Sequence, residues 1–214
     1  MALSKLAANS FDLTDNYALT GTVTGVVSTQ KLFLIKNIDA SSSSTVDFLD
    51  GTSSVVLDNT YKTYYFKFIN IHCETNDTHL QFQANTAGGS GFNETITSSV
   101  FEARHKEDGS STSLAYNTGY DQAQGTSFQT IAGGVGNAAD ASVSGELFLF
   151  NPSSTTFVNH FIVNTQYMNY QSPPFTNEFF VAGYFNTTSA IDEIQFKMSS
   201  GNIDSGTIEM YGIN

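Results

Sequence analysis

The side chains best suited to chemistry in this 214-residue chain crowd into one short segment: His72, Cys73, Glu74, Asp77 and His79 lie within eight residues. Imidazole, thiolate and carboxylate are zinc ligands, taken up in tetrahedral sets. Structural zinc sites draw on two cysteines or on a histidine pair at finger or short helical spacing, and Cys73 is the one cysteine of the chain. The segment therefore reads as a strand end whose polar residues enter a turn, with Cys73 a reduced thiol and no metal bound. A serine nucleophile on a strained elbow would need Gly-x-Ser-x-Gly, which is absent. Gly88-Gly89-Ser90-Gly91 lacks a strand-to-helix context and reads as a hairpin loop. Gly133-Gly134-Val135-Gly136 has the glycines of a phosphate loop but neither its lysine nor a following helix. Glu94, Glu102, Glu146, Glu178, Asp192 and Glu193 are nominal carboxylates for glycoside hydrolysis, yet no two have visibly opposed environments, and solvated surface is the simpler reading. No catalytic residue and no cofactor is expected.

Composition narrows the class further. Eight Lys and Arg against 20 Asp and Glu give a net charge of −12, and the basic residues are scattered. Binding to a phosphate backbone rests on clustered cations that release counterions, so nucleic acid is not an expected partner. Met1-Ala2-Leu3-Ser4-Lys5-Leu6 lacks the apolar core of a secretory signal, and no apolar run approaches the ~18 residues of a membrane span. Synthesis and folding in a cytosol and no membrane contact are the expectations. Charged residues make up only 13% of the chain, about half the usual share. Ser, Thr, Asn and Gly fill the gap, while 18 Phe and 10 Tyr separate the chain from a disordered polar sequence.

The elements that would position these residues are strands. Hydrophobic periodicity is near two almost everywhere. Leu80 and Phe82 alternate with polar neighbours, as do Ile194, Phe196 and Met198. Tyr64, Phe66 and Phe68 share one face of a long strand from Tyr61 to Cys73; the apolar set then moves to Ile69 and Ile71, which predicts a bulge near Asn70. Residues 31–35 and 144–150 are apolar at both parities. They are expected to be central strands, covered on both sides or set against a neighbouring subunit. Turn signals at Asp50-Gly51, Gly88-Gly89, Asp108-Gly109 and Ser200-Gly201 separate ten to twelve short strands, the spacing of a sandwich or barrel. The best helix candidate, Tyr116 to Gln129, is broken by Gly119 and Gly125. Residues 29–214 form one expected β-sandwich domain. Residues 1–28 read as an arm or edge strands, anchored by Leu6, Phe11, Leu13 and Tyr17.

Tyr116, Tyr120, Tyr167 and Tyr170 fall in Asn-, Gln- and Ser-rich stretches that read as loops. Tyrosine offers rigid area plus a hydroxyl, so such loops suit recognition. Sealing the ends of the sandwich or a subunit interface is the alternative use of the same rings. The chain has no Trp for a sugar-stacking platform.

Several stretches taken together resemble a family of virion structural proteins from tailed bacteriophages of marine bacteria, including cyanobacteria. They are Met1 to Leu6 with Asn9-Ser10-Phe11-Asp12, Tyr65 to His72, Leu149 to Phe157, and above all Gly183 to Thr188 with Ser205 to Ile213. The last block is similar to the closing strand pair of jelly-roll-like phage proteins, with Met210 where their Leu-Tyr-Gly-Ile pattern has Leu. The resemblance implies an all-β, jelly-roll-like antiparallel sandwich and a non-enzymatic role in the virion, as an outer capsid protein of decoration or fibre-like type. A tail-associated module binding host glycans is the alternative. The implied partners are other virion proteins and further copies of the chain, a trimer being the first expectation.

Residues 1–28 hold few large apolar groups, yet Leu6, Phe11, Leu13 and Tyr17 are spaced like anchors that could add to a sheet edge. Deleting residues 1–20 should leave a β-type circular-dichroism spectrum unchanged while abolishing assembly in light scattering. A truncated chain that unfolds would refute the attachment role.

Overall fold

From Leu32 onward, buried and accessible side chains alternate along the chain, and the backbone answers with strands. The computed structural model describes residues 31–213; the expected arm, with Leu6, Phe11, Leu13 and Tyr17, lies outside them. Thirteen strands and no helix occur among the described residues. Numbered in chain order, β1 (Leu32–Ser43) leads to β2 (Val46–Phe48) and β3 (Thr63–Cys73) to β4 (Thr78–Thr86). Later in the chain β8 (Gln129–Val135) leads to β9 (Val143–Phe150) and β12 (Ile191–Met198) to β13 (Ile203–Ile213). Each of these four connections crosses from one sheet to the other. The two resulting quartets have matching order, β1-β13-β3-β9 facing β2-β12-β4-β8, all antiparallel. That is jelly-roll connectivity: the chain folds over as paired ribbons, so neighbours in one sheet have neighbours in the other.

The remaining strands all widen one sheet. β10 (Asn159–Met168) and β11 (Phe175–Phe185) continue it beyond β9, then come β5 (Ile96–Lys106) and β6 (Thr112–Tyr116), with β7 (Ala123–Gly125) also on β5. The outcome is a nine-stranded sheet over a four-stranded one. The stretch from Tyr116 to Gln129 holds the end of β6, the short β7 and an irregular loop.

Between the sheets lies a core dominated by phenylalanine. Phe196 of β12 meets Phe66 and Phe68 of β3 at 5.5 and 5.3 Å, Phe48 of β2 at 6.2 Å and Phe82 of β4 at 6.2 Å. Phe82 in turn meets Phe161 of β10 and Phe185 of β11. Most of these pairs are edge-on or tilted, the arrangement the ring quadrupole favours, worth about 0.5–1.5 kcal/mol beyond area burial.

The bulge expected near Asn70 is present. β3 loses register between Phe68 and Ile71 against β9, and β13 does so between Ser205 and Thr207 against β3. Asn70 takes φ +49° and Gly206 φ +115°, and a Cβ on Gly206 would sit 2.6 Å from the Asn70 carbonyl oxygen. The shift in parity is what keeps Ile71 and Cys73 buried together with Phe66 and Phe68. One placement is corrected. Residues 32–35 belong to β1, which among the described residues is an edge strand of the long sheet and not a central one, with a bulge between Leu34 and Lys36. The strand at 144–150, in contrast, is central, as β9.

Replacing Phe196 with Ala should remove contacts from both sheets at once and destabilise the domain by about 3–5 kcal/mol in urea unfolding. Phe157→Ala, at a ring 70% exposed, should cost under ~0.5 kcal/mol. Equal effects would show that the ring cluster does not hold the sheets together.

Candidate interaction surfaces

The His72–His79 segment crosses from one sheet to the other, and its side chains serve that crossing. His72 Nε2 lies 3.2 Å from the Ala138 carbonyl and Nδ1 lies 3.3 Å from Asp204. The Cys73 thiol, fully buried, donates to the Gly136 carbonyl at 3.3 Å. Glu74 accepts the Asn202 N–H at 2.9 Å, and His79 Nδ1 accepts the Gly134 N–H at 2.9 Å. Asp77 turns the chain at φ +56°. Among the described residues no three His, Cys, Asp or Glu side chains group closely enough to hold a metal ion.

Three of the four tyrosines singled out from the sequence converge on the glycine pair Gly133-Gly134. A Cβ on Gly133 would meet the Tyr120 ring at 2.6 Å, and one on Gly134, at φ +70°, the Tyr170 ring at 3.3 Å. The Tyr167 hydroxyl donates to the Gly133 carbonyl at 2.7 Å and accepts its N–H at 3.0 Å. The glycines are there because rings pass close to the backbone, not to cradle a phosphate. Tyr167 is corrected from loop to strand: it sits on β10 and is fully buried, continuing the inward series Phe161, Val163, Thr165. Burial pushes its phenol well above the ordinary value. Tyr120 is half-buried beside Phe179 and His79, and burial followed by the Glu102 carboxylate raises its phenol too. Tyr170 is 41% exposed. Beside these rings, His79, Gln81, Tyr120, Gln122, Phe128 and Thr130 line an open polar concavity of about 450 Å³.

Tyr116 belongs elsewhere. It lies on edge strand β6 opposite Phe101, 55% exposed, its hydroxyl donating to Asp121 at 2.6 Å. Phe101 stacks on Phe180 at 4.7 Å. These rings are part of the outer face of the nine-stranded sheet, the side turned away from the short sheet. There an unbroken cross-strand row runs Leu34, Tyr211, Tyr65, Phe148, Ile162, Ala182, Ser99. Tyr65 meets Phe148 at 4.9 Å and Tyr211 at 5.8 Å. Its phenol is pushed up to about 12, first by burial among these rings and then by the Glu146 carboxylate. Leu34, Ile162 and Phe101 remain 54%, 50% and 44% exposed. The sequence carried a signal for this face beyond the two runs already read. The apolar doublets Tyr64-Tyr65, Phe161-Ile162 and Phe179-Phe180 put one member inside and the other outside.

Of the candidate carboxylates, Glu94, Glu102 and Glu193 are engaged by their neighbours, while Asp192 Oδ1 is buried without a hydrogen-bond partner. Glu94 accepts from both the Thr86 N–H and its hydroxyl, Glu193 accepts from Asn85, and buried Glu102 pairs with Arg104 at 3.7 Å and accepts from Asn177. Asp192 is raised by burial, then by Glu193 and Asp50. No family model matches the chain, and neither the curated proteins nor the solved structures include a match to it.

Burial pushes the Cys73 thiol up to about 11. The unfolded thiol ionises near about 8.5. The stability that comes from burying it neutral is therefore complete below that value and is lost as pH rises through about 11. Urea midpoints should fall between pH 8 and 11 less steeply in Cys73→Ala than in the parent, and a thiol reagent at pH 8 should label the parent only once it is unfolded. Rapid labelling of the folded chain would contradict this burial.

Proposed function

We propose that the protein is a non-enzymatic structural component of a phage particle, an outer capsid protein of decoration or fibre-like type that assembles with copies of itself. The observation that carries the reading is the outer face of the nine-stranded sheet. A lone chain in water gains only cross-strand ring contacts from aligning Tyr211, Tyr65, Phe148 and Ile162 across its surface, whereas an assembling subunit also gains an interface. The sequence resemblance to virion proteins supports the setting. The low charge density supports it as well, because a surface of hydroxyls and amides has few ion pairs for salt to screen.

The tail-associated, glycan-binding alternative draws on the polar concavity beside Tyr120 and Phe128. Its amides, hydroxyls and rings are the groups that pair with sugar hydroxyls and ring faces.

Particles banded in a density gradient should contain the chain at many copies each, with its density on the shell in electron-microscopy maps. A chain that never co-bands with particles would defeat the proposal. Density at the tail tip, with host adsorption blocked by added purified protein, would transfer it to the alternative.

A further inference from the structure

We infer that the outer face of the nine-stranded sheet is occupied by the same face of a second copy, related by a two-fold axis, with Ile162 of each copy set into a depression of the other. The depression measures about 540 Å³ and is floored by Ala182 and Gly183 between Phe150, His160, Ile162 and Tyr184. Ala182, the outward residue of β11 between Phe180 and Tyr184, keeps the floor low because its side chain is a single methyl. Ile162, half exposed on the rim, provides the protrusion that such a hollow accepts. A knob beside a hole on one surface is self-complementary under a two-fold operation, since each copy then offers both.

Size and charge select a second copy over other occupants. From β1 to β5 the face spans six inter-strand spacings of about 4.8 Å, roughly 29 Å. Three outward rows about 7 Å apart give a flat footprint of roughly 600 Å², which side-chain relief enlarges toward the ~800 Å² per partner of a stable complex. The chain carries −12, so two copies repel wherever their acidic surfaces meet. The central row holds no ionisable group except the tyrosines, whose phenols are neutral at pH 7. In the adjoining row Lys67 stands in register between Glu209 and Glu146 and approaches Glu209 at 3.6 Å, so one of the two carboxylates there is paired within the face. This is where an acidic chain meets its own copy with few like charges opposed. Two such sheets pack face to face about 10 Å apart, as in a sandwich. The trimer expected from sequence would need two different patches on each copy, whereas a single flat face pairs with itself and closes at two.

The pairing deepens the structural-subunit reading but stands on the face alone. A chain that pairs yet never enters particles would sink that role and leave the pairing intact. Sedimentation velocity of the full chain should show a species of twice the 23.2 kDa chain mass, growing with concentration through the micromolar range. Ile162→Glu at the knob and Ala182→Arg at the hole should each weaken association about tenfold or more, while Gln195→Lys on the outer face of the short sheet should not. Both tested positions are exposed, so melting curves should match the parent's. As a readout that tolerates a misfolded variant, an introduced thiol in Ala182→Cys should be labelled by maleimide quickly in dilute solution and slowly in concentrated solution, Cys73 being buried. A monomer at every concentration, an association indifferent to both knob and hole, or concentration-independent labelling would each overturn the inference.

Discussion

The ring of Phe196 touches rings from both sheets, and the sandwich depends on that contact. Antiparallel ladders satisfy the backbone within a sheet but do nothing to hold one sheet against another. That attraction comes from apolar area withdrawn from water, at roughly 25 cal/mol per Å². Phenylalanine dominates the ring contacts here, and the edge-on and tilted geometry around Phe82 and Phe196 lets rings from β2, β3, β4, β10, β11 and β12 interlock. Because this cluster fixes which face of each strand turns inward, it also fixes what the opposite parity presents outward.

A mismatch in width follows from the connectivity. The jelly-roll quartets match strand for strand, but β10, β11, β5, β6 and β7 all join the same sheet. Their inward residues still find cover: Phe161, Val163 and Tyr167 of β10 and Phe179 and Val181 of β11 are buried. Part of this cover comes from β8 and from Tyr120 of the loop beyond β6, which packs on Phe179. The outward residues of the same strands receive no third layer from the described chain. The aromatic row on that side is the surface on which the proposed assembly rests, since large contiguous apolar patches on a protein surface mark interaction sites.

The chemically capable groups have structural work. His79 receives the Gly134 N–H, His72 faces the Ala138 carbonyl and Asp204, and the buried Tyr167 hydroxyl spends both its donor and an acceptor position on Gly133. Buried polar groups carry a cost of about 1–3 kcal/mol when left unpaired, so the amide and hydroxyl partners around β8 act as register pins between the sheets. Gly133 and Gly134 complete the arrangement by letting Tyr120 and Tyr170 lie against the backbone.

The all-β class, the inward residues of β4 and β12 and the bulge at Asn70 were legible in the sequence. Each is written in a period-two pattern or in a break of that pattern, and these are local properties of a strand. The sheet in which a strand lies is not local. Residues 31–35 and 144–150 look alike as strings, yet among the described strands one is at an edge and the other lies mid-sheet, because pairing partners such as Tyr211 and Tyr65 come from distant parts of the chain. Tyr167 looked like a loop residue among Asn and Gln neighbours. Its burial was decided by continuation of the β10 alternation against β8. The doublets Tyr64-Tyr65 and Phe179-Phe180 announce that both faces of a strand are apolar. Only cross-strand register, set by tertiary pairing, decides that their outward members align with those of other strands into one continuous face.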